Sequence, residues 1–411
     1  MIKKITSDEL INGSIILFVM FNLFNFINFI FQFLMARMLG PAEYGVLAVL
    51  MSLIYFIAIP SESIQTLISK YTSKLSAKSN YRGIKYLLAK MLKKGTRITI
   101  LIFLLMIPFF YFYSYFLNID FYLVLLTGTM IFSVFLLPTT RGVMQGMKKF
   151  NSLGINMVLE AILKLIIAVI LIALGIKTYG AVIGIIGGSI IAFVFSLIPL
   201  RKILSTNEEK IDSTKIYEQS TPIFFALIAI LLMQSIDVII AKRVFSPDIA
   251  GQYAVANLMG KIIFFGTVAI SKTMLPLTSE RFETGISTRR LFFKALGIVS
   301  VLCLIALILF AFFPQLIVEI LFGEEYLQSA SIVLNMGIAF SFISLANLVL
   351  IYGVSINKKI KVQYLIIVLV AQIILLTLSS FSLYYYSISM AFSGLLLFIS
   401  SIIIIKKREI V

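Results

Sequence analysis

The chain has 411 residues, 60% of them hydrophobic and only 13% charged, and its mean hydropathy is +1.06. A soluble core cannot absorb that apolar fraction, so the bilayer is the expected solvent. The net charge is +17, with no histidine, no tryptophan and one cysteine, Cys303. This excludes a disulfide framework or a cysteine metal site and removes the commonest general base.

The basic residues sit in short segments between apolar runs, which marks membrane orientation rather than a nucleic-acid face. Met1–Leu10 reads as a cytosolic lead-in without a cleavage site. The first span is expected from about Ser14 to Met38. Its Asn25, Asn28 and Gln32 share one helical face, either as amide glue between helices or as the lining of a wet cavity. A junction follows, A-R-M-L-G-P-A-E-Y-G-V-L-A from Ala36 to Ala48. The second span then runs to about Ile68 and carries Glu62 beside Pro60.

Lys70 to Arg97 holds nine Lys or Arg and no acid; Ile84, Leu88 and Met91 are placed to bury one face of it in the membrane interface. Further spans are expected at about Ile98–Phe116, Phe121–Met144, Leu153–Leu174 and Gly180–Leu200. A polar stretch, Arg201–Lys215, separates the halves. The second half repeats the arrangement, with spans near Tyr217–Ala241, Tyr253–Leu277, Leu291–Phe313, Ser329–Val354, Val362–Leu383 and Tyr384–Ile405.

The junction returns loosely as A-K-R-V-F-S-P-D-I-A-G-Q-Y-A-V-A, Ala241 to Ala256. Pro41 and Gly45 match Pro247 and Gly251 at half the chain length, which points to a duplicated architecture. The expected fold is an all-α polytopic membrane protein of about 12 transmembrane helices. They form two six-helix bundles, residues 1–204 and 205–411. With both termini cytosolic, the inner segments hold 28 of the 35 Lys and Arg, a strong bias under the positive-inside rule. Six spans per half give parallel repeats, with a substrate path expected at their interface.

Ionisable residues within spans are costly and therefore informative. Lys164 lies four residues after Glu160, so the two can neutralise each other on one helix face; alternatively Lys164 meets a substrate phosphate and Glu160 tunes it. Lys261 and Lys272 lie on one stripe of the eighth span. Lys272 can snorkel, whereas Lys261 is deeper and has no acid within one turn of its own helix. Gln234 and Asp237 share a face, and Asp237 either binds a coupling proton or sodium ion or neutralises a lysine across the bundle. Arg37 and Arg141 sit at helix ends, where an interfacial anchor is the default; Arg37 alternatively lines a cleft mouth. Glu62 is a weaker candidate of the same sort. No phosphate-cradling glycine loop marks ATP as the energy source, and no cofactor is expected. The external connection Pro314–Gln328 reads as a solvated acidic loop, too short for a catalytic domain.

Twelve spans in two halves, the junction after the first span and R-G-V-M-Q-G-M-K-K-F (Arg141–Phe150) resemble the polysaccharide transporter family. So do the segment from Asp237 to Ala256 and F-G-E-E-Y from Phe322. These O-antigen-type flippases belong to the multidrug/oligosaccharidyl-lipid/polysaccharide exporter superfamily. The resemblance implies a fold similar to multidrug and toxin extrusion transporters, two bundles forming a V that opens alternately to each side. It implies a flippase, not an enzyme, in the plasma membrane. The cargo is then a lipid-linked oligosaccharide with an anionic diphosphate, moved for surface-glycan assembly with an ion gradient as the drive and the monomer as the working unit. Arg37 and Asp237 match motif positions; Lys164 and Lys261 match none. On this reading Arg37, Lys164, Lys261, Asn25, Asn28 and Gln32 contact substrate, and Asp237, Glu62 and Glu160 serve ion coupling. The rivals are a cation-coupled multidrug antiporter and a membrane glycosyltransferase or glycan polymerase.

Overall fold

The computed structural model describes residues 7–209, 232–356, 358 and 362–406. These residues are almost entirely helical, with no strand among them. The first helical stretch, α1 (Ser7–Ala77), is two helices joined at Gly40, whose backbone sits at φ 71, ψ 173. An L side chain resists that left-handed φ, and the following Pro41 starts the next helix with a preset backbone.

Six helices follow in the first half: α2 (Tyr81–Leu117), α3 (Phe121–Gly128), α4 (Met130–Gly146), α5 (Phe150–Ala173), α6 (Lys177–Leu197) and the short α7 (Arg201–Leu204). In the second half come α8 (Ile236–Val244), α9 (Pro247–Glu283), α10 (Arg289–Phe312), α11 (Pro314–Phe322), α12 (Ala330–Ser355), α13 (Val362–Leu378) and α14 (Leu383–Lys406).

Among the described residues nine helical segments are long and apolar enough to cross a membrane, the first being Val19–Ala77. That segment is divided at Gly40 and supplies two of the expected spans. Gln363–Leu378 is a shorter apolar helix. The expected seventh span is described only from Leu232 onward. The start of the expected cytosolic lead-in (1–6), the end of the polar stretch between the halves (210–215) and the basic residues at 407–408 also lie outside the described residues. The protein is a multi-pass, all-α membrane protein.

Three expectations need correction. The basic stretch after Asn80 is not a separate connection but the first half of α2, whose 37 residues extend about 55 Å at 1.5 Å per residue. Its apolar face is spent inside the protein: Ile84 and Leu88 are fully buried with Ile68, Val143, Met144, Leu153, Leu200 and Ile203, and Met91 packs against them. They do not lie in the membrane interface. The connection Pro314–Gln328, expected to be external, is helical, with α11 followed by the 3-10 turns Glu324–Ser329, rather than a loop, while its Glu319, Glu324 and Glu325 are exposed.

The described residues form two compact units. In one, residues up to Leu39 join those from Leu53 through the rest of the first half. In the other, Gly40–Ser52 packs with the second half. Within the first unit α5 and α6 pack closely because Gly184 and Gly188 of α6 face α5. A Cβ at Gly184 would stand 2.6 Å from the Ala168 Cβ, and one at Gly188 2.8 Å from the Lys164 backbone nitrogen. Small residues at four-residue spacing allow this backbone approach in lipid.

Within the second unit the two copies of the repeated junction meet. Both place proline at the start of a helix with an acid in its first turn, Glu43 and Asp248, which complements the helix dipole. A Cβ on Gly45 would come 3.0 Å from the Gly251 nitrogen, and one on Gly251 would collide with the Pro41 carbonyl. Tyr44 packs edge-on against Tyr326. Gln252 donates Nε2 to the Glu325 carbonyl at 2.6 Å and accepts from the Ser329 N–H at 3.0 Å. The two copies of the motif thus pack on each other.

Candidate functional site

In the first unit, Lys164 on α5 is 9% exposed. Its Nζ donates to Asn28 Oδ1 and lies 4.3 Å from the centroid of the Phe31 ring. Asn28 Nδ2 donates to the Phe24 carbonyl at 2.8 Å, which aims its oxygen at the ammonium. Gln32 hydrogen-bonds Tyr55, and Asn25 is half-buried. The amides on one face of the first span thus do meet the lysine, through Asn28.

The expected self-neutralising pair of Glu160 and Lys164 is corrected. Glu160 Oε2 accepts from Arg141 Nη2 at 2.8 Å in an ion pair, and its Oε1 accepts from Ser189 Oγ at 2.7 Å. Lys164 adds only longer-range attraction. Arg141 is accordingly no interfacial anchor: it is 9% exposed, with Nε donating to Asn156 Oδ1 at 2.8 Å. Asn156 in turn donates to the Ala192 carbonyl at 2.7 Å. This network ties α4, α5 and α6 together. It also leaves the Lys164 charge faced by one neutral amide, an aromatic ring and, at longer range, a carboxylate already paired with Arg141.

In the second unit, the helix around Asp237 is interrupted. Gln234 and Ser235 are in a turn, and α8 begins at Ile236. The freed backbone is stitched by two side chains: Gln372 Nε2 donates to the Met233 carbonyl at 2.9 Å, and the Tyr386 hydroxyl donates to the Asp237 carbonyl at 2.6 Å. Such breaks at membrane depth are tolerated where protein re-satisfies the backbone.

Asp237 is fully buried. Its Oδ2 accepts from the Tyr253 hydroxyl at 2.7 Å and from Asn257 Nδ2 at 2.6 Å. Lys261 faces it electrostatically, so the lysine with no acid within one turn of its own helix finds one on another helix. Three buried polar atoms near the break have no hydrogen-bond partner: Asp237 Oδ1, Gln372 Oε1 and Gln234 Nε2. Among the described residues no group of three or more Asp, Glu or Cys side chains could hold a metal ion.

Arg37 and Glu62 are exposed side chains. Sequence reasoning missed Tyr253, Asn257, Tyr386, Gln372 and Phe31. One signal was available: Tyr253, Asn257 and Lys261 recur at four-residue spacing and form one polar stripe of α9.

The sequence model of the polysaccharide biosynthesis protein family matches residues 10–282. The chain belongs to that family. No curated protein sequence matches it. Among solved structures it is similar to an inward-facing MATE family multidrug transporter of the MOP superfamily, with a TM-score of 0.70 and 12% identity over 93% of this chain and 92% of that one. It is also similar to the lipid II flippase MurJ in an inward closed conformation, with a TM-score of 0.63 and 15% identity over 95% and 88%. A MOP superfamily transporter from Pyrococcus furiosus, described as having a binding pocket of reversed polarity, gives a TM-score of 0.58 and 12% identity over 97% and 94%. At these identities the likeness is one of fold. This member of the polysaccharide biosynthesis family therefore has the MOP transporter fold.

Proposed function

We propose that the protein is a flippase that carries a polyprenyl-diphosphate-linked oligosaccharide across the cytoplasmic membrane by alternating access, with both termini in the cytosol and a cation gradient as the drive. It needs no catalytic residues, because the cargo is moved and not changed. A sugar head group cannot cross hydrocarbon alone, since its hydroxyls would lose water without replacement partners.

The observation that carries the reading is the charge state around Lys164. The cation is buried, its neighbouring acid is already bound by Arg141 and Ser189, and its hydrogen bond goes to the neutral Asn28. A buried ammonium that shares its nearby acid with Arg141 suits a mobile anion, and the diphosphate is that anion. Asn25, Asn28 and Gln32 supply amides for sugar hydroxyls, and Arg37 serves as an outer contact.

Asp237 is the coupling acid in this reading. Its Oδ1 and the Gln372 Oε1 are oxygen acceptors without hydrogen-bond partners, a donor set that suits a proton or a sodium ion. Uptake of a cation there would release Lys261 from its countercharge and leave it ready for the phosphate. Glu160, bound to Arg141, is a positioning residue. The same Asp237 oxygen is what a multidrug antiporter would use for a cationic drug, and cargo assays separate the two.

The test is glycan export in cells carrying Lys164→Gln or Lys164→Arg, with protein abundance measured alongside. Export lost in Lys164→Gln and partly kept in Lys164→Arg is the expected result. Wild-type export in Lys164→Gln would remove this residue from the mechanism.

A further inference from the structure

The two halves differ sharply at one equivalent place. Lys70–Arg97 in the first half carries nine cations and no acid; shifted by the repeat offset, residues 276–303 carry four cations, Arg281, Arg289, Arg290 and Lys294, and two acids, Glu280 and Glu283. If orientation alone set these charges, the second half shows that far fewer are enough. The excess in the first half needs another reason.

The geometry of α2 separates its charged side from its core side. Ile84, Leu87 and Leu88 are fully buried, and at 100° per residue Arg82, Lys90, Lys93 and Arg97 lie on the opposite face. Lys70, Lys74, Lys93, Lys94 and Arg97 are exposed. Lys74 lies over the Tyr71 ring and Lys90 over the Tyr86 ring, each at 5.4 Å, the amphipathic pairing expected at head-group depth.

Depth follows from the sequence. The apolar run begins at Ile98, so Arg97, Lys94, Lys93 and Lys90 sit within about 12 Å of its edge at 1.5 Å per residue. Lys70 and Lys74 follow the end of the second span in the same way. Lys148, Arg201 and Lys202 are exposed beside the same core cluster, and Lys149 is held below the ordinary lysine value by burial and then by the Lys202 ammonium. Glu208 and Glu209 lie in a segment that touches the far end of the stripe: the Glu209 N–H donates to the Arg82 carbonyl at 3.4 Å.

We propose that the girdle of Lys70, Lys74, Lys90, Lys93, Lys94 and Arg97 is a binding surface for anionic phospholipid head groups of the leaflet it faces. Clusters of basic residues just beyond a membrane helix bind acidic lipid in this way. The proposal is independent of which cargo the protein moves.

The test uses the purified full chain in mixed micelles with equal phosphatidylglycerol and phosphatidylcholine, with bound lipids counted by native mass spectrometry. The wild type should retain phosphatidylglycerol preferentially, and raising the ionic strength to about 0.5 M should erase the preference by shortening the screening length. The variant K90Q/K93Q/K94Q/R97Q should lower the ratio of the two lipids by at least about tenfold, given roughly fivefold per cation near an anionic surface. R281Q/R289Q/R290Q, at the equivalent place in the second half, should keep it. Equal retention of both lipids by the wild type, an unchanged ratio in the first variant, or a salt-insensitive ratio would each overturn the proposal.

Discussion

Replacing Arg141 with methionine isolates the network that holds Glu160 in an ion pair with Arg141 rather than with Lys164. The substitution keeps volume and helix propensity but removes the guanidinium that holds Glu160 at 2.8 Å and Asn156 at 2.8 Å. Glu160 would then keep only the Ser189 hydroxyl and the longer-range attraction of Lys164. Removing one partner of a buried ion pair costs about 3–5 kcal/mol, because the other charge stays buried and uncompensated. For a unit of this size about 1 kcal/mol moves the melting temperature by roughly 2–4 °C, so the expected fall is on the order of 6–20 °C. The assay is the fraction of protein that stays monodisperse in size-exclusion chromatography after heating in detergent. The double variant R141M/E160Q removes both charges and should recover most of the loss, since a neutral pair is well tolerated in the same space. If R141M melted within about 3 °C of the wild type, or if the double variant were no better than the single one, the assignment of Glu160 to Arg141 would be wrong.

Other outcomes follow from the second unit. Gly251→Ala places a Cβ against the Pro41 carbonyl and should be more damaging in the same heating assay than Gly45→Ala, whose Cβ meets the Gly251 nitrogen at 3.0 Å; the reverse order would contradict the packing of the two junctions. Asp237→Asn should abolish the response of transport to an imposed gradient while leaving protein yield intact. Asp237→Leu should in addition lower stability by about 1–3 kcal/mol, because Tyr253 and Asn257 lose their acceptor. Cys303 is the single cysteine and is buried, so a thiol dye should label the native protein negligibly and label it once per chain on unfolding. Rapid labelling in the folded state would contradict its placement inside α10.

The helices and the repeated junction were legible because apolar run length and the Pro–acid–Gly pattern are local signals. Gly40–Pro41 announced a break between helices, and the structure has one there. The partners of the buried charges were not legible, because they come from other helices. Glu160 and Lys164 share a helix face by spacing alone, yet Arg141, fifteen residues or more away in sequence from Asn156 and Glu160, reaches the carboxylate with better geometry. Lys261 looked isolated since only its own helix could be searched, and Asp237 neutralises it from α8. The amphipathic start of α2 was read as an interfacial helix because periodicity reports that a face is buried and not what buries it. Core residues from α4, α5 and α7 cover it instead.

The most direct test of the central claim is head-group translocation in proteoliposomes. A polyprenyl-diphosphate oligosaccharide would be scored by enzyme accessibility for its leaflet, with and without proton and sodium gradients. Protein-dependent transfer that responds to one gradient and is lost in Lys164→Gln is the expected result. Efflux of a cationic drug without oligosaccharide transfer, or growth of the sugar chain in place of transfer, would contradict it.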